Sequence, residues 1–190
     1  TSEPPPLSPP KPASHAPLEI CTAHGLTYRY PETGRGIQDV NLHLPRGSFT
    51  VVTGRIGSGK TTLLRVLLGL LPKDGGEIRW NGQTVTDPAS FFTPPQSAYT
   101  PQAPRLFSDP LLDNILLGLP ETQVDVAGAI RQAVLEEDVA GMPHGLATVV
   151  GPRGVRLSGG QVQRTAAARM FVRGGPQGAE VLIFDDLSSA

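Results

Sequence analysis

Apolar positions change period along the chain, and each change predicts a different element. Residues 1–17 carry prolines at 4, 5, 6, 9, 10, 12 and 17 with almost nothing apolar between them. Such a segment cannot bury enough surface to offset the cost of ordering it, which predicts a semi-rigid, largely disordered linker. From Leu18 a period of two sets in. Leu26, Tyr28 and Tyr30 share one face, and Val40, Leu42 and Leu44 share another before the turn residues Pro45, Arg46 and Gly47, predicting antiparallel strands. Residues 49–53 (Phe-Thr-Val-Val-Thr) form a β-branched run too short for a helix. They predict a strand that enters a glycine-rich loop and then a helix with Leu63, Leu64, Leu67, Leu68 and Leu71 on its apolar face, stopped by Pro72.

Beyond Pro72, residues 77–80 and 84–86 are short strand candidates separated by turn signals at Gly75-Gly76 and Asn81-Gly82. Residues 109–142 contain short helical patterns, including 126–135, with no buried strand between them. This predicts an inserted helical lobe. An alanine-rich helix follows over 157–173, closed by Gly174 and Gly175, and then a fully apolar run, Val181 to Phe184, ends in Asp185 and Asp186. That run predicts a central parallel strand with carboxylates at its C-terminal edge, where open α/β sheets hold ligands. The expected fold class is therefore α/β.

Composition narrows the function without deciding it. Sixteen basic against seventeen acidic residues leave a net charge of −1, which offers no bulk attraction to a polyanion and argues against a nucleic-acid partner. Cys21 is the single cysteine, so no internal disulfide forms and a reducing, cytosolic setting fits. The densest apolar stretch is interrupted by Arg65 and is far shorter than the ~20 residues needed to span a bilayer.

Chemistry enters at Gly54-Arg55-Ile56-Gly57-Ser58-Gly59-Lys60-Thr61, which matches G-x-x-x-x-G-K-[ST]. Glycines in such a loop let backbone N–H groups turn toward phosphate oxygens, and the following helix adds the positive end of its dipole. Lys60 is expected to reach the β- and γ-phosphates of ATP, and Thr61 to offer its hydroxyl to Mg²⁺; Thr62 completes the candidate loop. With 22 glycines in the chain, a flexible turn could match by accident. The predicted strand before it and helix after it argue against accident.

The second constellation is Leu157-Ser158-Gly159-Gly160-Gln161. Ser158 followed by Gln161 also reads as a capping box at a helix start, and a capped helix start is itself an anion site. Here the sequence resembles the ATP-binding cassette (ABC) ATPase family, whose signature motif is LSGGQ. The resemblance covers residues 18–190 and implies one nucleotide-binding domain. Its parts would be a P-loop NTPase core, an N-terminal antiparallel β subdomain and a helical subdomain at about 103–165, with the C-terminal part of the family's fold missing. It further implies that Ser158, Gly159, Gly160 and Gln161 close over the γ-phosphate held by a second nucleotide-binding domain, identical or different.

The same resemblance assigns Gln102 as the Q-loop glutamine, contacting Mg²⁺ and the attacking water, and Asp185 as the Mg²⁺ partner at the Walker B strand. Where the family usually places a glutamate as general base, this chain has Asp186. It is one methylene shorter, so slow or asymmetric hydrolysis is expected. Tyr30 is the first candidate to stack on adenine and Tyr28 the second, against the plain alternative of a strand aromatic. Residues 148–156 and 106–109 resemble exporter-type loops. His15, His24, His43 and His144 all precede the signature, so the family's downstream histidine is expected beyond residue 190, in a longer protein.

The implied activity is ATP hydrolysis driving export through a transmembrane partner at the cytoplasmic face of the membrane. The alternatives are a regulatory cassette that binds ATP with little turnover and a soluble, non-transport ABC protein.

Overall fold

The computed structural model describes residues 16–174 and 178–185. The proline-rich lead-in before Ala16 and the predicted base Asp186 lie outside the described residues. β1 (Ile20–Arg29) and β2 (Gly36–Pro45) form an antiparallel pair, as the period-two pattern predicts. Cys21 and Ala23 face the core at odd positions, yet Leu26 and Tyr28 face it at even ones. A register shift between Ala23 and Leu26 makes that change of parity possible, and an opposite shift before Tyr28 restores the pairing. Cys21 is buried and its thiol is pushed up to about 11 by burial, so it packs as a small apolar residue.

α1 (Lys60–Leu67) buries Thr62, Leu63, Val66 and Leu67, the i, i+3, i+4 stripe of an amphipathic helix. Each aliphatic side chain on that stripe contributes about 1.5–3 kcal/mol by leaving water. The helix ends earlier than Pro72 predicts. Gly69 takes a left-handed φ of 71°, its N–H donates to Val66 O and that of Leu70 to Arg65 O at 2.8 Å. These two bonds form a Schellman stop.

β3 (Gly75–Trp80) pairs with β1, and the Asn81-Gly82 turn leads to β4 (Gln83–Thr84), giving a four-stranded sheet in the order β2-β1-β3-β4. A short helix α2 (Pro88–Phe91), capped by Asp87, follows. Next comes β5 (Ser97–Thr100), a strand the apolar pattern did not announce.

α3 (Leu111–Leu116), α4 (Val126–Gln132) and α5 (Glu136–Ala140) come next, with short 3-10 turns at Glu121–Gln123 and Gly145–Ala147. They enclose a second apolar cluster around Leu111, Ile115, Ile130, Leu135 and Val150, closed by Ala168 and Val172 of α6 (Gly159–Val172). β6 (Val181–Phe184) then pairs in parallel with β5. Together with α1 and β1–β3 these two strands contribute to the main cluster, which contains Leu26, Val66, Ile78 and Ile183. No helix among the described residues is long and apolar enough to cross a membrane.

Two expectations are corrected. Residues 49–53 are not a strand: Phe49 is 92% and Val51 63% exposed. A strand exists only where its N–H and C=O groups find a ladder, and no strand among the described residues pairs with this segment. For the same reason β6 is not central among the described residues. It pairs on one side with β5, and Leu182 stays 43% exposed.

Gly69→Ala tests the helix stop. A Cβ there would lie 2.3 Å from the Ala89 backbone nitrogen, and alanine resists a positive φ. The expected loss is about 2 kcal/mol or more, read from denaturant unfolding.

Candidate functional site

The glycine-rich loop is solvent-exposed over 54–58, and the half-buried Gly59 leads directly into α1. Gly59 is the N-cap at φ 96°, with no side-chain cap. A Cβ on it would come within 2.9 Å of Ile37 Cγ2, so only glycine lets the loop pass β2 into the helix at this angle. Lys60 reaches back to donate from Nζ to the Gly54 carbonyl at 2.9 Å and the Arg55 carbonyl at 3.1 Å. The ammonium thereby closes the loop on itself. The first-turn N–H groups of α1 have no side-chain cap, and the turn itself contains no acidic residue, which leaves them suited to an anion.

Asp185 follows β6 and is only 6% exposed. Its Oδ1 accepts from Thr61 Oγ1 at 2.9 Å and its Oδ2 from Tyr99 Oη at 3.1 Å. Its own N–H donates to Thr100 O at 2.9 Å. The burial cost of the carboxylate is thus met by two hydroxyl donors from separate elements. The phenol of Tyr99 is held above its ordinary range, first by burial and then by the Asp185 charge. The structure therefore brings Thr61, the residue after Lys60, into contact with Asp185.

Tyr30 follows β1 half-buried, with its hydroxyl 3.4 Å from Thr62 Oγ1. Tyr28 is buried at 7% exposure, edge-on to Tyr30 with centroids 5.0 Å apart. Tyr28 is thus a core residue, and burial takes its ring out of reach of a base. Of the loop side chains, Arg55, Ile56 and Ser58 stand in solvent.

Ser158 caps α6 through a complete capping box: Gln161 N–H donates to Ser158 Oγ at 3.2 Å and Ser158 N–H to Gln161 Oε1 at 2.9 Å. Gln161 also donates from Nε2 to Asp138 Oδ1 at 3.2 Å, while Arg164 Nε donates to Asp138 Oδ2 at 2.7 Å. The Gln161 amide is therefore occupied inside the chain. Ser158 and Gly159 remain exposed. Among the described residues no hydrogen bond joins 54–61 to 158–161. Gln102 is exposed, and its carbonyl accepts from Gln163 Nε2 of α6 at 2.9 Å.

Three residues here escaped the sequence reading. Tyr99 lies on the strand that the apolar pattern did not announce. Asp138 is one of three acidic residues in the first turn of α5, and no local signal distinguishes it from Glu136 and Glu137. Asn114 is fully buried in α3. Its amide accepts from Phe107 N–H at 2.8 Å and donates to the carbonyls of Phe107, Asp109 and Pro110, fastening the loop that follows Gln102.

The Asp138–Arg164 pair predicts a pH dependence. The Arg164 guanidinium holds the Asp138 carboxyl below the usual carboxylate range. The stabilisation is therefore fully present above the unfolded carboxyl's pKa of about 4 and is lost as pH falls through the lower folded value. Because Arg164 is 36% exposed, screening keeps the effect small. Asp138→Asn is expected to cost about 0.5–1 kcal/mol at pH 7 and almost nothing near pH 2, measured by urea unfolding across that range.

Comparison with known proteins agrees with this geometry. The ABC transporter family model matches residues 37–189. The chain is 36% identical over 192 residues to an ATP-dependent lipid A-core flippase of Alkalilimnicola ehrlichii, covering 96% of this chain and 32% of that protein. It is 37% identical over 165 residues to the multidrug resistance-like ATP-binding protein MdlA of Escherichia coli, covering 86% and 27%. Among solved structures, a bacterial Atm1-family ABC exporter with ATP bound superposes with a TM-score of 0.80 at 28% identity, over 96% of this chain and 32% of that one. The chain thus spans under a third of the length of these relatives. A loop, a capped signature helix and a carboxylate strand in this order and geometry, within a match over most of the sequence, place the chain in the ABC transporter family as an exporter-like nucleotide-binding domain with a P-loop NTPase core.

Proposed function

We propose that this chain binds Mg-ATP and, as part of a longer protein, hydrolyses it to drive export through a transmembrane partner at the cytoplasmic face of the membrane. The observation that carries this reading is the 2.9 Å bond from Thr61 Oγ1 to Asp185 Oδ1, which joins residues 124 positions apart. A hydroxyl beside a carboxylate is a hard-oxygen donor set suited to Mg²⁺, which usually takes one or two carboxylates together with substrate phosphates. Thr61 and Asp185 would hold the ion, with Gln102 reaching toward it from its loop. When bound, Mg²⁺ neutralises charge on the β- and γ-phosphate oxygens.

Lys60 now rests on two neutral carbonyls, and phosphate oxygens are stronger acceptors for its ammonium. The N–H groups of Gly57, Gly59, Lys60, Thr61 and Thr62 would bind phosphate from the loop and first helical turn, whereas the Ser58 N–H donates to Arg55 O at 3.1 Å and would have to give up that bond to join them. Gly54, Arg55 and Ile56 form its outer arm. Tyr30 is the residue proposed to stack on the base. Residues 18–190 act as one domain with the helical subdomain at about 103–165.

The signature of this chain serves a second nucleotide-binding domain. Support comes from the exposure of Ser158 and Gly159 and from the lack of any hydrogen bond to the chain's own P-loop among the described residues. Ser158 Oγ already accepts from Gln161 N–H, which leaves its proton free to donate to a phosphate of that partner. Gln161 acts by shaping the helix start, since its amide is already bonded within the chain.

Asp186 favours a second reading, an ATP-binding regulatory cassette with little turnover, because its carboxylate reaches one methylene less than glutamate. In the full-length protein, Lys60→Ala is expected to weaken ATP binding by about tenfold to a hundredfold, measured with a fluorescent ATP analogue. Unchanged affinity would remove the primary reading. Asp186→Glu separates the two activities. A large gain in turnover supports the regulatory cassette, and a rate equal to wild type supports the transporting ATPase.

A further inference from the structure

Asp185 has its two carboxylate oxygens held from two directions, and the two holders differ in kind. On Oδ1 sits the Thr61 hydroxyl at 2.9 Å, a rotor that can swing its proton away and turn a lone pair outward. On Oδ2 sits the Tyr99 phenol at 3.1 Å. Its ring is planar, half-buried and packed against the main apolar cluster, so the hydroxyl cannot move away without moving the ring. The backbone fixes the pair further. Tyr99 stands opposite Ile183 in the parallel register, and Asp185 N–H bonds to Thr100 O at 2.9 Å. One oxygen of Asp185 is thus releasable, and the other is tied to the sheet.

This difference matters for the ion that Asp185 would take, and the inference rests on the function proposed above. Mg²⁺ is small and near-octahedral, and it takes carboxylates through single oxygens. Ca²⁺ is larger, takes six to eight oxygens and readily uses both oxygens of one carboxylate. A carboxylate with one oxygen fixed by a phenol suits the first ion and handicaps the second. We propose that Tyr99 is a positioning residue that keeps Asp185 a one-oxygen ligand and so sets the preference of this site for Mg²⁺ over Ca²⁺.

The test uses the full chain, a fluorescent ATP analogue, and separate titrations with MgCl₂ and CaCl₂ for wild type, Tyr99→Phe and Asp185→Asn. Phenylalanine keeps the ring and removes only the donor, and thermal melts confirm that each variant is folded. Tyr99→Phe is expected to leave metal-free binding of the analogue unchanged, since the Thr61–Asp185 bond that steadies the loop and the contacts of Lys60 remain. It should shift the ratio of the half-saturating Mg²⁺ and Ca²⁺ concentrations toward Ca²⁺ by about threefold to tenfold, the worth of one hydrogen bond. A ratio equal to that of wild type, or equal losses for both ions, would overturn the proposal. Asp185→Asn is the control for the underlying reading. If it leaves the metal dependence intact, the site itself is misassigned. If it removes that dependence while Tyr99→Phe changes nothing, only the role given to Tyr99 fails.

Discussion

A buried carboxylate must be satisfied, and much of this molecule is arranged around that requirement. Asp185 is almost sealed from water, and an unpaired charge in such a place would cost several kcal/mol. Its two oxygens meet hydroxyls from α1 and β5, so satisfying the charge also locks the first helix of the chain against the last described strand. The glycine-rich loop then has no freedom to drift, because Thr61 at its end is one of those two donors. Lys60, one residue earlier, points back into the loop. The proposed phosphate site and the core packing therefore share the same few hydrogen bonds.

The signature helix shows a similar economy. Ser158 and Gln161 form a complete capping box, which stabilises the helix start whether or not a nucleotide is near. The same glutamine reaches Asp138 on α5, and Arg164 one turn later reaches it too. One carboxylate therefore aligns the helical lobe with the exposed serine. Structural and functional readings of this motif are compatible, since a well-capped helix N-terminus is also the geometry that binds an anion.

The segment before the loop marks the limit of local reasoning. Residues 49–53 have every intrinsic feature of a strand, yet they lie exposed because no neighbouring strand among the described residues completes their hydrogen bonds. β5 is the reverse case. Four residues with a weak apolar signature become a strand because Val181 to Phe184 lie alongside in parallel register. β-structure depends on a partner, and propensity alone does not supply one.

The sequence by itself determined the family motifs, because spacing was enough. The glycines, Lys60 and Thr61 form one contiguous phosphate loop, Ser158 and Gln161 are three residues apart at a helix start, and Asp185 follows an apolar run. It also determined the β1–β2 and β3–β4 hairpins, whose contacts are close in the chain, and the helices with clear apolar periodicity. Only the tertiary structure decided what depends on distant partners. That Tyr28 is core, that Tyr99 bonds Asp185 and Asp138 bonds Gln161, that Asn114 fastens the loop after Gln102, and that α1 stops at Gly69 all follow from contacts with other segments or from one backbone angle. A local pattern encodes which groups a segment offers, whereas the pairing of those groups is settled only when the chain closes around them.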